Sequence, residues 1–135
     1  MAYWLVKSEP FKYSWEQFEK DGQTYWDGVR NYAARNNLKK MKTGDQVLFY
    51  HSNEGLEIVG VAEVIREAYQ DPTTKENAWV VVDIKPLRRL QKPVTLKQVK
   101  AEKRLAGMDL LRLGRLSVQE VRGAEWDVIM MLENS

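Results

Sequence analysis

The chain has 135 residues, the length of one compact domain, and its 44% hydrophobic and 30% charged residues indicate a packed core with a solvated surface. It contains no cysteine and one histidine, which excludes disulfides, thiolate metal sites and a cysteine nucleophile, so we expect neither a metal nor another cofactor. The net charge is +2, no apolar run approaches the roughly 20 residues of a membrane-spanning helix, and no secretory signal precedes the first strand-like segment, so we expect a cytoplasmic protein.

The first third of the sequence predicts one strand and two short helices. Residues 3–7 are aromatic and β-branched, which is typical of a buried strand. Ser14 and Gln17 form a capping-box pattern at the start of a helix that Gly22 ends. A second helix is predicted over residues 32–41, where apolar side chains are available for burial.

The remainder alternates between turns and regular segments. Four further strands are predicted, over residues 46–51, 56–67, 79–84 and 115–121. Pro86 is expected to close the third of these strands. A capping box at Thr95 and Gln98 begins a basic helix that runs to about Leu105, and residues 125–132 predict a last helix.

This order of elements predicts an α+β fold in a single domain over residues 1–135. We expect a small β-barrel, closed or nearly closed, of mainly antiparallel strands flanked by short helices, because closure removes exposed strand edges.

The basic residues are concentrated in two segments. Residues 30–42 hold five basic residues and no acid, and residues 85–115 hold ten basic residues against two acids. Such clusters bear on binding partners rather than on the fold, because lysine and arginine neutralise phosphate. We expect both segments to contact phosphate; the alternative is that the second is only a solvated helix face.

No complete catalytic template is present. A nucleophilic triad would have to use His51, and the G-x-S-x-G elbow, the Walker A loop and the G-x-G-x-x-G loop are all missing. We therefore expect a binding protein without catalytic residues. The alternative is an enzyme that acts on a nucleotide or nucleic acid, with His51 as acid or base.

Three polar clusters are harder to explain as scaffold. The first is residues 7–10 (Lys-Ser-Glu-Pro), the second residues 25–31 (Tyr-Trp-Asp-Gly-Val-Arg-Asn) and the third residues 50–53 (Tyr-His-Ser-Asn). The first and third lie at predicted strand ends, where a rigid frame presents binding groups from short loops. We expect all three clusters to meet at one cavity.

Trp26 is the most informative residue of these clusters. Most tryptophans pack in a core, and we assign four of them there: Trp4, Trp15, Trp79 and Trp126. Trp26 is instead followed by charged, glycine and amide residues that are seldom deep in a core, so its indole is a candidate to stack on a base. Two interpretations remain open for His51, Ser8 and Ser52. Each side chain either contacts a ligand or forms a hydrogen bond with the local backbone.

Several stretches, in order along nearly the whole chain, resemble the EVE domain. They are Tyr3–Pro10 (YWLVKSEP), Trp26–Leu38 (WDGVRNYAARNNL), Gly44–Asn53 (GDQVLFYHSN), Gly60–Val64 (GVAEV), Pro93–Leu96 (PVTL), Leu110–Arg112 (LLR) and Arg115–Val118 (RLSV). No long N-terminal extension precedes them, which suggests a stand-alone bacterial form.

The resemblance implies a PUA-like barrel related to YTH domains, which hold N6-methyladenine of RNA in an aromatic cage. YTH domains carry a Lys-Ser pair after the first strand, which Lys7 and Ser8 match, and a cage tryptophan after the first helix, which Trp26 matches. EVE domains are linked to recognition of modified cytosines in DNA. The implied partner is therefore DNA or RNA with a modified base, and not a membrane or a metal.

We therefore predict a nucleic-acid-binding module that holds one flipped, modified base in an aromatic pocket, with a modified cytosine favoured. The predicted base-pocket residues are Lys7, Ser8, Trp26, Asn31, Tyr50, His51 and Ser52. The predicted phosphate-binding residues are Arg30, Arg35, Arg112 and Arg115. Beside the binder and the enzyme, a third interpretation is a module for a small metabolite or a protein that uses the same pocket.

Overall fold

Six β-strands and five α-helices make up the computed structural model, which describes residues 1–135. The strands are β1 (Tyr3–Ser8), β2 (Thr24–Tyr25), β3 (Gln46–His51), β4 (Glu57–Gln70), β5 (Val80–Thr95) and β6 (Val118–Val121). The helices are α1 (Trp15–Asp21), α2 (Tyr32–Lys40), α3 (Leu96–Ala101), α4 (Asp109–Arg112) and α5 (Gly123–Leu132), and a 3₁₀ turn covers Lys103–Leu105. None of these helices is both long and apolar enough to cross a membrane.

The strands form one sheet in the order β2-β5-β4-β3-β1-β6. All neighbours are antiparallel except β1 and β3, which run parallel and pair Ser8 opposite His51 at their carboxyl ends. The Ser52 N–H donates to the Ser8 carbonyl at 2.9 Å. Because the two strands end side by side, the first and third polar clusters lie next to each other.

Both faces of the sheet are covered, which is why its strands carry apolar residues at consecutive positions. In β1, Trp4 and Val6 join the core that includes α1 and α2, whereas Leu5 joins the core that includes the C-terminal helices. The four tryptophans assigned to the core from the sequence are all buried, which confirms that assignment: Trp4, Trp15, Trp79 and Trp126.

The predicted α+β fold of mainly antiparallel strands with flanking short helices is confirmed, but the sheet is not closed. β2 and β6 are its two ends, and no ladder joins them. β6 is instead covered by α2, whose Asn37 donates from Nδ2 to the Val118 carbonyl at 2.7 Å. An edge strand that is covered in this way needs no further strand partner, so the barrel stays open.

The prediction that Pro86 closes a strand is wrong. β5 continues through Pro86 and Pro93 to Thr95. Beyond Ile84, β5 pairs only with β4, since the short β2 reaches no further along it. Proline is tolerated on such an edge because no neighbouring strand needs its missing N–H group.

Helix α1 is positioned by its caps and by one glycine. Ser14 accepts from the Gln17 N–H at 3.1 Å at its start, and Gly22 ends it with φ 75°, as predicted. Gly60 of β4 lies directly against Trp15, and a Cβ at this position would lie 2.5 Å from the indole. The close approach sets the place of α1 on the sheet, and with it the loop that leads from β1 into the helix.

Candidate functional site

A cleft of about 940 Å³ opens at the carboxyl ends of β1 and β3. One wall comes from the loop of residues 24–30, and the opposite wall comes from residues 96–117, which include α3 and α4. Residues of all three polar clusters line it, so the predicted meeting of the clusters at one cavity is confirmed. The volume falls within the range of about 300–1,000 Å³ that is typical of small-ligand sites.

Lys7 and Ser8, which end β1, both line the cleft. Lys7 Nζ donates to the Gly114 carbonyl at 2.6 Å, which ties β1 to the opposite wall, and burial lowers the pKa of this lysine. Ser8 Oγ donates to the Tyr13 carbonyl at 2.6 Å. The ammonium keeps two further donors and the hydroxyl oxygen keeps its lone pairs, so both groups retain capacity for a ligand.

Aromatic side chains form part of the cleft surface. Trp26 is only 9% exposed and packs edge-on against Phe49 and Tyr13, with ring centroids 5.6 and 6.2 Å away. Trp26 is therefore a core residue that also lines the cleft, and its stacking on a base stays a prediction. Tyr50 also lines the cleft, its hydroxyl has no hydrogen-bond partner in the chain, and burial raises the pKa of the phenol.

The loop that carries Trp26 is held by the buried carboxylate of Asp71. Asp71 accepts from the Gly28 N–H at 3.2 Å, from Arg30 Nη1 at 2.9 Å, and from the N–H and hydroxyl of Thr73 at 2.7 and 2.6 Å. Burial raises the pKa of Asp71, but the hydrogen bonds from Thr73, Arg30 and Gly28 outweigh it and hold the pKa at about 2. The carboxylate is therefore ionised at neutral pH and fixes the loop.

Five basic side chains line the cleft: Lys7, Lys12, Arg30, Lys100 and Arg115. Lys12 and Arg30 have carboxylate partners, at 3.5 and 2.9 Å. Lys100 in α3 and Arg115 after α4 are exposed and form no ion pair. These two cations are free to bind an anion at the cleft.

Asn31 and His51, both predicted to contact a base, do not line the cleft. Asn31 Oδ1 accepts from the Ala34 N–H at 3.0 Å and caps α2. His51 Nε2 accepts from the Trp15 N–H at 3.2 Å at the start of α1, and burial lowers the pKa of the imidazole. Both side chains thus fix the starts of helices that follow cleft-lining residues, Arg30 before α2 and Tyr13 before α1.

Arg35 and Arg112, predicted to contact phosphate, also lie outside the cleft lining. Arg35 donates to the Ala78 carbonyl at 3.2 Å, and its guanidinium lies 4.9 Å from the Tyr32 ring centroid. Arg112 pairs with Asp109 at 2.7 Å. Partners within the chain therefore engage both guanidinium groups, and neither group is placed to bind an anion in the cleft.

Nine polar residues of the cleft lining were not among the predicted site residues: Glu9, Lys12, Tyr13, Thr24, Tyr25, Asp27, Asn53, Lys100 and Ser117. Tyr25 is 45% exposed and belongs to the second polar cluster, so its position was the available signal. Lys100 lies in the predicted basic helix, but the sequence does not show which lysine of that helix faces the cleft, because this is decided by how α3 packs. Ser117 reaches the cleft because its carbonyl accepts from the Lys7 N–H at 3.0 Å, a contact between the two ends of the chain.

The relatives of the chain agree with this architecture. The family model of the EVE domain matches residues 2–132. The chain belongs to the EVE domain family. Thymocyte nuclear protein 1 of Mus musculus is 36% identical over 167 residues, an alignment that covers 98% of this chain and 74% of the relative. The resemblance inferred from the sequence motifs is therefore confirmed.

Two solved structures have folds similar to that of this chain. The human THYN1 protein, in complex with 5-methylcytosine-containing DNA, superposes with a TM-score of 0.94 at 32% identity and covers 100% of this chain and 99% of its own. The YTH domain of the Zygosaccharomyces rouxii MRB1 protein, in complex with N6-methyladenosine RNA, superposes with a TM-score of 0.63 at 16% identity, over 98% of this chain and 86% of its own. The YTH likeness is one of fold alone, and the predicted PUA-like fold is confirmed.

Proposed function

We propose that this EVE domain binds DNA or RNA and accommodates one flipped, modified base in the cleft, with a modified cytosine favoured. The observation that carries the proposal is that one cleft combines the indole of Trp26 with the free cations of Lys100 and Arg115. An aromatic surface beside unpaired cations suits a nucleotide, which has a flat base and a charged phosphate. The likeness to a protein solved with 5-methylcytosine-containing DNA supports the choice of base.

In this proposal the base stacks on the accessible part of Trp26 beside Tyr50. Its edge meets the remaining donors of Lys7 and the hydroxyl groups of Ser8 and Ser52, all of which line the cleft. Stacking contributes about 1–3 kcal/mol per base, which is comparable with the few kcal/mol that extrusion from a helix costs.

The backbone of the nucleic acid is held by the cations at the cleft. Arg115 and Lys100 are the main candidates because no carboxylate competes for them, and Arg30 is a third because its side chain is 40% exposed despite its pair with Asp71. Such contacts fix position without reading sequence. Asn31 and His51 are not assigned a contact with the base, because their side chains accept from the backbone at the starts of α2 and α1.

Binding without catalysis is favoured by the hydrogen bond that His51 makes. The enzyme alternative depends on His51, but the Nε2 lone pair accepts from the Trp15 N–H at 3.2 Å, so it is already engaged. We further propose that residues 1–135 form one EVE domain. The cytoplasmic location expected from the sequence stays a prediction.

The proposal is tested by the affinities of matched oligonucleotides that carry unmodified cytosine, 5-methylcytosine, unmodified adenine or N6-methyladenine, at two salt concentrations. We expect the tightest binding for the modified cytosine and an affinity that falls steeply as salt rises, because bound phosphates release counterions. Binding that ignores salt would support the metabolite-binding interpretation. Turnover of a modified nucleoside during the same incubations would support the enzyme.

A further inference from the structure

We propose that Asp27 makes the cleft selective for the amino edge of cytosine over the carbonyl edge of thymine or uracil. This inference rests on the proposed function and names the side chain that reads the base. Asp27 directly follows Trp26 in sequence, is exposed and lines the cleft. Its carboxylate forms no ion pair and no hydrogen bond within the chain.

The backbone on both sides of Asp27 is anchored. The Trp26 N–H donates to the Val82 carbonyl of β5 at 2.8 Å, and the Gly28 N–H donates to the Asp71 carboxylate at 3.2 Å. Gly28 has φ 77°, which allows the chain to turn at this point without the strain that a side chain would add. The free carboxylate is thus presented to the cleft from a fixed backbone, next to the residue on which the base stacks.

The charge of Asp27 is not explained by phosphate binding. A carboxylate repels phosphate, and the other carboxylate that lines the cleft, Glu9, is paired with Lys12 at 3.5 Å. A carboxylate is an acceptor only, so it requires a donor from the ligand. Cytosine supplies one through its 4-amino group, to which Asp and Glu are suited partners, whereas thymine and uracil place a second acceptor at the same position.

The test compares single-stranded oligonucleotides that differ in one base, 5-methylcytosine or thymine. These bases share the methyl group and differ at the edge that Asp27 is proposed to read, and a single strand removes the cost of opening a base pair. We expect the wild-type protein to bind 5-methylcytosine about tenfold or more tightly than thymine. Asp27→Asn should bring that ratio to within about twofold, because an amide can donate to the thymine carbonyl as well as accept from the amino group.

Two further variants separate base reading from general charge. Glu9→Gln removes one negative charge from the same cleft, so it should raise both affinities slightly and leave the ratio unchanged. Asp27→Glu retains the carboxylate and should retain the preference for 5-methylcytosine. The melting temperature of Asp27→Asn should match that of the wild type, because the side chain is exposed and has no partner in the chain.

The outcomes distinguish this inference from the proposed function. A wild-type ratio in Asp27→Asn, or equal changes in Asp27→Asn and Glu9→Gln, would overturn the role of Asp27 while the binding function stands. A wild-type protein that binds neither oligonucleotide would overturn the proposed function itself, and the role of Asp27 with it.

Discussion

Trp26 belongs to two structures at once, the core below the cleft and the cleft surface. Its ring packs edge-on against Phe49 and Tyr13, yet the residue lines the cleft. A change at Trp26 is therefore expected to affect both stability and ligand binding, and an experiment has to measure the two separately.

Truncation of the Trp26 side chain should lower the stability of the fold. We expect Trp26→Ala to lower the free energy of unfolding by about 3–5 kcal/mol, as for other packed aromatics, and Trp26→Phe to lower it much less because a ring remains against Phe49. Trp26→Phe should still weaken binding of a modified nucleoside, since a smaller ring offers less stacking area. Chemical denaturation measures the free energy of unfolding, and titration with the nucleoside measures the affinity.

Trp126→Phe is the matched control for Trp26→Phe. Trp126 is equally well buried but lies on the other face of the sheet, stacked on Tyr3 with ring centroids 4.2 Å apart. It should change stability without changing nucleoside affinity. If both substitutions weaken the nucleoside complex to the same extent, loss of stability rather than loss of stacking explains the effect.

At the scale of single residues, the sequence could predict which polar and aromatic residues lie near the cleft. It could not predict which of those side chains form hydrogen bonds with another part of the chain. Trp26, Lys7, Ser8, Tyr50 and Ser52 line the cleft, as their polar and aromatic settings suggested. His51 looked equally suitable, but the Trp15 N–H, far away along the chain, takes up its Nε2. A competing partner of this kind appears only when the tertiary structure is known.

The loop that carries Trp26 and Asp27 has little regular structure, and Asp71 supplies the missing constraint. No motif in the sequence linked Asp71 to this loop, because Arg30 and Gly28 are 41 and 43 residues away from it along the chain. The cleft thus depends on a buried carboxylate that makes no contact with the proposed ligand.

Removing that charge should loosen the loop. We expect Asp71→Asn to lower the free energy of unfolding at pH 7 by about 2 kcal/mol, the value of a pKa held at about 2 instead of 3.8, and to weaken nucleoside binding. A lowered pKa contributes stability that is complete above about pH 4 and is lost as the pH falls towards 2. About half of the contribution should be gone at pH 3. Denaturation at pH 7 and pH 3 measures this.

Asp45→Asn provides the control for Asp71→Asn. Asp45 is also a buried carboxylate, which accepts from Trp4 Nε1 at 2.9 Å, but it does not line the cleft or hold its loops. It should destabilise the fold without weakening the nucleoside complex. Equal losses of affinity in the two variants would show that the hydrogen bonds of Asp71 to Gly28 and Arg30 have no special part in the cleft.

Among the elements, those with strong local signals were predictable and the short ones were not. The sequence patterns located β3, α1 and α2 closely because caps and apolar periodicity agree there. β2 has two residues and α4 has four, so their backbone is decided by packing rather than by propensity. The continuation of β5 through Pro86 could not be foreseen, since it depends on which side of the strand lacks a partner.

Across the whole molecule, the polarised charge of the sequence is only partly available to a ligand. Five of the ten basic residues in 85–115 form ion pairs with carboxylates: Lys85, Arg88, Arg89, Arg104 and Arg112. These five cations are neutralised within the chain, and three of them, Lys85, Arg88 and Arg89, lie in β5 rather than on a helix face. Lys100 and Arg115 differ from these residues because they line the cleft and form no ion pair.

Charge reversal at Arg115 tests whether the cleft is where phosphate binds. We expect Arg115→Glu to weaken oligonucleotide binding equally for modified and unmodified bases. It should also flatten the dependence of log affinity on log salt by about one unit for each phosphate that the variant no longer neutralises. Binding of an isolated modified nucleoside should hardly change, because it has no phosphate.

Arg112→Glu is the matched control for Arg115→Glu. Arg112 lies only three residues away and carries the same charge, but it pairs with Asp109 and does not line the cleft. A long-range field would make the two reversals equivalent, whereas direct phosphate binding predicts a change of salt slope for Arg115→Glu alone. If Arg115→Glu changes neither the affinity nor the dependence of log affinity on log salt, the basic residues at the cleft do not bind phosphate. The metabolite-binding interpretation would then be favoured over nucleic-acid binding.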